Sequence, residues 1–410
     1  MPNPYSQVFL SVGLKNAPEV YRSRREEHLK NLTSLAIYYA IEEDSENRIN
    51  QTPEFLYLTG INQSGAILVL DPLAKGGENE HREILFLEEK NPKKEFWNGI
   101  KLGLVKDENI AEVSKITGFE TILPIENFNS FVKKRTRTPQ AELLKIHLAQ
   151  RVILERERIK LAKVAQQITK EAFLSVLPKI SELKNERTLS AFLDSQMLSR
   201  TDNGLSFSTI CAAGKNACTL HYKKKDDDIK NGDLVLLDFG CRYNAVCSDI
   251  SRTIPANGKF NPLQKLLYNI VLDTQIFHQK SVRAGLTLQE LSKESWLYLE
   301  TLLIHRFKEC GGKAERYYTG KPHGISHLIG DIVHEGGATR DYLKKPLAAG
   351  MLISNEPGIY GHFSIEIDGI FYSEDIGIRI EDDLLITEKG CVNLSVGIPK
   401  TAEEIEELLS

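Results

Sequence analysis

One acid stands inside an apolar strand. In Leu234-Val-Leu-Leu-Asp238-Phe239, every neighbour of Asp238 is a large hydrophobe, a pattern that suits a strand covered on both faces. A carboxylate buried there is too costly to keep without compensation. Any fold this chain adopts must therefore bring a counter-charge to residue 238.

The following segment offers another acid in place of a base. Residues 246–254 read as a second strand, and a hairpin turning at Tyr243-Asn244 places residue 238 opposite 249. Opposed residues share a face with Cβ atoms roughly 4.5–5.5 Å apart, a spacing that suits two carboxylates gripping metals about 3.5–4 Å apart. Tyr-Asn lacks the usual glycine of a two-residue turn, so a longer loop with a bulge is the alternative. Taken singly, Asp238 reads as a strand-end residue and Asp249 as a turn cap. Together, and with Asp238 in an apolar run, they read as a site.

Three more segments extend the set. His323-Gly-Ile-Ser-His327-Leu-Ile-Gly-Asp-Ile-Val-His334 gathers three of the ten histidines beside Gly324 and Gly330. Those glycines argue against helix and for a turn or strand entry. Leu352-Ile-Ser-Asn-Glu356-Pro-Gly runs an apolar strand into an acid and a turn. In the segment 376–386, alternation sets Ile376, Ile378 and Ile380 on one face and Arg379 and Glu381 on the other. Asp238, Asp249, His327, Glu356 and Glu381 thus have the chemistry of a dinuclear site, whose acids two divalent cations would neutralise. The oxygen-rich donors suit Mn²⁺ above structural zinc, with Co²⁺, Fe²⁺ or Zn²⁺ as substitutes.

The ordered combination resembles the pita-bread metallopeptidases, and within them the aminopeptidase P (Xaa-Pro aminopeptidase) family. The matching stretches are His221-Tyr222, 232–238, 248–253, His323 through His334, Glu356-Pro-Gly and 377–382, with further likeness at 51–60 and 400–409. The likeness implies an α+β fold, with a smaller α/β N-terminal domain before a curved antiparallel sheet covered by helices. It implies that Asp249 and Glu381 bridge two metals, Asp238 chelates one, and His327 with Glu356 holds the other. Glu356 would also shuttle the proton, His221 and His334 would hydrogen-bond the scissile carbonyl, and His323, Arg379 and Tyr360 would shape the proline side. The implied reaction is hydrolysis of the bond between an N-terminal residue and a following proline, on peptides with proline second. Trp97 resembles a position that reaches a neighbouring subunit's pocket, in a family of dimers and tetramers.

Other readings share these ligands. A prolidase, which cuts only Xaa-Pro dipeptides, needs an extra basic group for the dipeptide carboxylate, and Arg379 is the candidate. A methionine aminopeptidase usually lacks the N-terminal domain. A non-catalytic binding protein on this fold is expected to have lost ligands.

The rest of the chain fits a globular protein. Its 410 residues suggest about two or three domains, and 41% hydrophobic and 26% charged residues with a formal charge of −4 give no basic excess for nucleic acid. The mixed run Lys223-Lys-Lys-Asp-Asp-Asp228 reads as a solvated turn. No stretch approaches about 18 consecutive apolar residues, and the start, Met1-Pro-Asn-Pro-Tyr-Ser-Gln, lacks a basic segment leading into an apolar core, so no membrane is expected and the cytoplasm is. Six cysteines form no CxxC pair and read as ordinary buried thiols, Cys247 among them.

A basic linker, Phe131-Val-Lys-Lys-Arg-Thr-Arg-Thr138-Pro139, divides the expected domains at residues 1–135 and 136–410. Thr138 is a good N-cap, with Pro139 opening a long helix striped by Leu144, Leu148 and Val152. Strands are expected at 35–40, 55–58, 66–70 and 84–87. The N-terminal domain carries no ligand-like cluster, so its expected work is to cover the site or build an oligomer.

Overall fold

The computed structural model describes residues 5–42, 51–74, 81–106, 108–336 and 341–410; the first four residues of the start read for targeting lie outside them. The chain divides into two units, Met1–Arg151 and Val152–Ser410.

In the first unit, α1 (Ala17–Leu29), β1 (Ala36–Tyr39), α2 (Pro53–Thr59), β2 (Ala66–Leu70), β3 (Glu83–Leu87), α3 (Pro92–Asn98), α4 (Ile110–Thr117), β4 (Thr121–Pro124), α5 (Phe128–Val132) and α6 (Gln140–Arg151) follow in order. The sheet runs β1-β2-β3-β4, antiparallel except for the parallel pair β3–β4. The strands expected at 35–40, 66–70 and 84–87 form. Residues 55–58 are helical instead, because their flanks carry helix signals: Thr52 accepts from the Phe55 amide, Pro53 occupies the first turn, and Gly60 closes it at φ 69°. These local caps outweigh the strand propensity of a short apolar run.

Helix α6 corrects the expected stripe and boundary. Its buried positions are Leu143, His147, Leu148 and Arg151, while Leu144 is 44% exposed and Val152 lies beyond the helix end. The Thr138 hydroxyl donates to the Ser34 carbonyl. Leu143 packs into the core that contains Phe55, Leu58 and Leu85, which joins α6 to the first unit. The division therefore falls after Arg151 and not after residue 135. The basic linker merely leaves α5 and pairs Arg137 with Leu35.

The second unit contains α7 (Arg156–Val176), α8 (Glu186–Leu198), β5 (Ile210–Ala213), β6 (Leu234–Phe239), β7 (Arg242–Tyr243), β8 (Val246–Cys247), β9 (Ile250–Pro255), α9 (Pro262–Ser281) and α10 (Leu288–Leu303). They are followed by β10 (Lys313–Arg316), β11 (Leu328–Ile329), β12 (Leu352–Asn355), β13 (Gly358–Ile367), β14 (Ile370–Arg379), β15 (Asp382–Thr387), β16 (Gly390–Asn393) and α11 (Ala402–Leu409). The strands pair as β5-β6-β9, β7-β8, β10-β13-β14 and β11-β12-β15-β16, antiparallel throughout. Capping boxes at Asn261/Gln264 and Thr287/Glu290 start α9 and α10. Their apolar faces, with those of α7 and α8, cover one side of the strands.

Strand β6 shows why its sequence is apolar on both faces. Val235, Leu237 and Phe239 join the helix-covered core. Leu236 packs on the opposite face with Ile210, Tyr222 and Tyr360, and that is the face on which Asp238 emerges.

The expected hairpin forms with a corrected register. Its turn residues are Asn244 and Ala245, both at positive φ (43° and 68°), as a primed two-residue turn requires. Asp238 consequently pairs with Ser251, not Asp249. The slip moves the partner by two residues, so Asp249 keeps the face it was expected to hold. The second strand is also broken, into β8 and β9, at Ser248-Asp249. Here the strands approach so closely that a Cβ on Gly240 would stand 2.0 Å from the Ser248 carbonyl oxygen, which only glycine permits.

Candidate metal centre

Five strand ends converge on one cavity of about 540 Å³. Asp238 comes from β6, Asp249 from the break before β9, His327 from the entry to β11, Glu356 from the exit of β12, and Glu381 from the junction of β14 with β15. Backbone bonds fix these ends: Glu381 N donates to Ser251 O at 3.0 Å, Ser354 N to His327 O at 3.0 Å, and Glu356 N to Ile325 O at 2.9 Å. All five side chains line the cavity with His221, His323, His334 and Arg379. Tyr360 stands behind that wall, its hydroxyl 3.1 Å from both His323 Nε2 and Arg379 Nη1. The structure thus brings every expected site residue to one place.

Their electrostatics call for cations. Ligand atoms of Asp249, His327 and Glu381 all lie within 4.8 Å of one another; His327 Nε2 is 3.4 Å from Asp249 Oδ2 and 3.5 Å from Glu356 Oε1. Burial pushes the Asp249 and Glu381 carboxyls well above the usual range, and the charges of Asp238 on the former and Asp249 on the latter push further. Burial also raises Asp238, against the pull of Arg379. Asp238 Oδ1 is buried with no hydrogen-bond partner among the described residues, an arrangement that native interiors rarely leave uncompensated. A carboxylate-rich set with one imidazole and one orphaned oxygen fits divalent cations.

A supporting layer of buried polar groups holds these ligands from behind. Ser251 Oγ donates to Glu381 Oε2 at 2.7 Å and accepts from Arg379 Nε at 2.9 Å. Asp383 Oδ2 accepts from the Asp249 amide at 3.1 Å and from Gln166. Behind Glu381, Asp382 is clamped by Arg252 at 2.8 Å and Lys400 at 2.5 Å. Burial would raise the Asp382 carboxyl, but these two cations hold it far below its ordinary value. Period-two alternation from Asp249 identifies Ser251; the partners of Asp382 and Asp383 come from remote segments and leave no local signal. Cys247 is buried, its thiol pushed up to about 12 by burial. The cysteines are free, as expected, but Cys310 is exposed.

Inward-facing acids and an imidazole on a helix-covered antiparallel sheet, gathered in a cleft, define a metal-dependent hydrolase. Residues 160–388 match the description "Metallopeptidase family M24" and residues 21–144 match "Aminopeptidase P, N-terminal domain". The chain belongs to metallopeptidase family M24. It is 28% identical over 96% of its length, and 96% of the relative's, to the Xaa-Pro aminopeptidase of Haemophilus influenzae. It is 30% identical to the mitochondrial intermediate cleaving peptidase 55 of Arabidopsis thaliana, over 88% of this chain and 75% of that one. A zinc-substituted Escherichia coli aminopeptidase P in complex with product superposes at a TM-score of 0.77, with 26% identity, 96% of this chain and 98% of that chain covered. The two-domain α+β pita-bread architecture is thereby established, and the family implies divalent metal ions. No helix among the described residues is long and apolar enough to cross a membrane.

Proposed function

We propose that this chain is a metal-dependent Xaa-Pro aminopeptidase, hydrolysing the bond between an N-terminal residue and a following proline. The observation that carries the reading is the cluster of Asp249, His327 and Glu381 beside the orphaned oxygen of Asp238, in a cavity large enough for a peptide. Asp249 and Glu381 would bridge two cations, Asp238 would complete one ligand set, and His327 with Glu356 the other; Mn²⁺ suits these hard donors. Bound there, the ions supply Lewis acidity and bring the pKa of a water towards neutrality.

The chain's own groups do the remaining work. Glu356 accepts a proton from the attacking water and delivers it to the departing proline nitrogen. His334 has its pKa pushed down to about 4, by burial first and then by His327, so at neutral pH it is a neutral imidazole with one N–H. It and His221 donate to the scissile carbonyl as negative charge develops there. His323, Tyr360 and Arg379 form the proline side. Because proline's amide has no N–H, recognition falls to pocket shape and to the substrate's free α-amine, making the enzyme an exopeptidase.

A prolidase reading is less favoured, since Arg379 is engaged by Asp238 at 2.6 Å, by Ser251 and by Tyr360 and is not free to seize a dipeptide carboxylate. The N-terminal unit is non-catalytic in this reading. Phe96 and Trp97, 83% and 82% exposed, support a homo-oligomer in which Trp97 meets a neighbouring subunit. A cytoplasmic site of action completes the proposal. The direct test is protein reloaded with Mn²⁺ on an Arg-Pro-Pro peptide. Release of arginine that chelation abolishes is expected; an uncut peptide defeats the reading.

A further inference from the structure

The run from Lys223 to Asp228 is exposed apart from the half-buried Lys225, as a solvated turn should be, yet most of its charges are paired. Lys224 lies 3.8 Å from Asp226, which also meets Arg187. Lys225 donates to Ser190 at 3.1 Å, Asp227 accepts from Asn216 at 2.9 Å, and Asp228 from Asn185 at 3.0 Å. Lys223 differs from them all. It makes no hydrogen bond or ion pair among the described residues, and it lines the same cavity as His221.

The chain on either side of it is anchored. Glu186, fully buried at the start of α8, accepts from Ala213 N at 2.8 Å, Asn216 Nδ2 at 2.9 Å, the Tyr222 hydroxyl at 2.8 Å and Asp227 N at 3.2 Å. Two of these four donors, the Tyr222 hydroxyl and the Asp227 amide, flank Lys223 and tie its segment to the buried carboxylate. The other full cation in the cavity wall, Arg379, is already committed to Asp238. Lys223 is therefore the ammonium that an incoming anion meets.

We infer that Lys223 is the subsite for a carboxylate on the downstream side of the substrate, an inference that rests on the Xaa-Pro reading and names its substrate class. The substrate's α-amino end is held at the metal-ligand end of the cavity, so chain direction carries the anionic C-terminal side away from it. Two residues of chain separate Lys223 from His221, roughly 7 Å at full extension, and His221 faces the scissile carbonyl. The matching group is thus a carboxylate within about two residues after proline. Either the C-terminus of a tri- or tetrapeptide or an acidic side chain at that distance supplies it.

Steady-state kinetics on the full-length, metal-loaded protein tests this. Arg-Pro-Pro is compared as free acid and as C-terminal amide, and a longer amidated peptide is compared with Asp or Asn third. An exposed ion pair corresponds to about a 3- to 5-fold lower KM for the carboxylate-bearing member, with kcat alike and the ratio shrinking at high ionic strength. Lys223→Ala brings the ratio to one and Lys223→Glu inverts it. Discrimination in the terminal pair alone assigns the subsite to short peptides, and in the Asp/Asn pair alone to acidic side chains; both support a carboxylate subsite. Equal KM values in both pairs for the unaltered protein, or a ratio that survives Lys223→Glu, overturns it while leaving the peptidase reading intact. Absence of any cleavage removes both.

Discussion

Arg379 Nη2 donates to Asp238 Oδ2 at 2.6 Å, leaving the second oxygen of the same carboxylate buried and without a partner among the described residues. One acid is thus divided between a fixed guanidinium and the cavity. The same guanidinium reaches Ser251, and through it Glu381, as well as Tyr360. A planar fork with several donors can orient two ligands and one pocket residue at once; a lysine ammonium cannot.

Arg379→Lys should therefore keep the charge and lose the geometry. Activity or metal affinity is expected to fall about 10- to 100-fold, as when groups that orient metal ligands are replaced. Metal titration followed calorimetrically beside turnover checks it, and a variant equal to the parent in both would contradict the orienting role.

Glu381→Ala removes a proposed bridge and should abolish metal loading and turnover together. Elemental analysis of the purified variant decides: two metals per chain would exclude Glu381 as a bridging ligand.

His334 packs edge-on against His327, with ring centroids 4.3 Å apart, but it is assigned to the substrate and not to the ions. His334→Ala should retain both metals while kcat drops on the order of 10²–10³-fold, the range for loss of one oxyanion donor. An undiminished rate with full metal occupancy rejects that role.

His278 makes the second unit acid-sensitive. It is wholly buried, with Nδ1 2.8 Å from Ser295 Oγ and Nε2 2.8 Å from Ser326 Oγ, and burial pushes its pKa down to about 3. The unfolded value is about 6.5, so below that pH the unfolded chain takes up a proton that the folded chain refuses. The stabilisation is complete above about pH 6.5 and declines as pH falls towards 3. Urea unfolding between pH 5 and 7 should show a shallower pH slope for His278→Gln than for the parent; identical slopes would dismiss the linkage.

Much of the site was legible because its acids occupy places where acids are expensive. Asp238 in an apolar strand and Glu356 before Pro-Gly are local anomalies, and alternation alone put Arg379 and Glu381 opposite Ile378 and Ile380. The hairpin register differs by two residues from the expected one because Asn244 and Ala245 adopt positive φ without glycine. That difference leaves the site intact, since a two-residue slip preserves the face. A helix at Pro53–Thr59 replaces the strand expected at 55–58, because four apolar residues in a row carry no period and the decisive signals lie in Thr52, Pro53 and Gly60.

The chain by itself determined which groups must be compensated and on which side of each strand they stand. Both follow from the cost of burying charge and from backbone periodicity, which are properties of short segments. Tertiary structure alone decided that α6 belongs with the first unit, that Asp382 is matched by Arg252 and Lys400, and that Lys223 turns to the cavity while its neighbours are paired. Each of those depends on segments far apart in sequence meeting in space, and no local pattern encodes such a meeting.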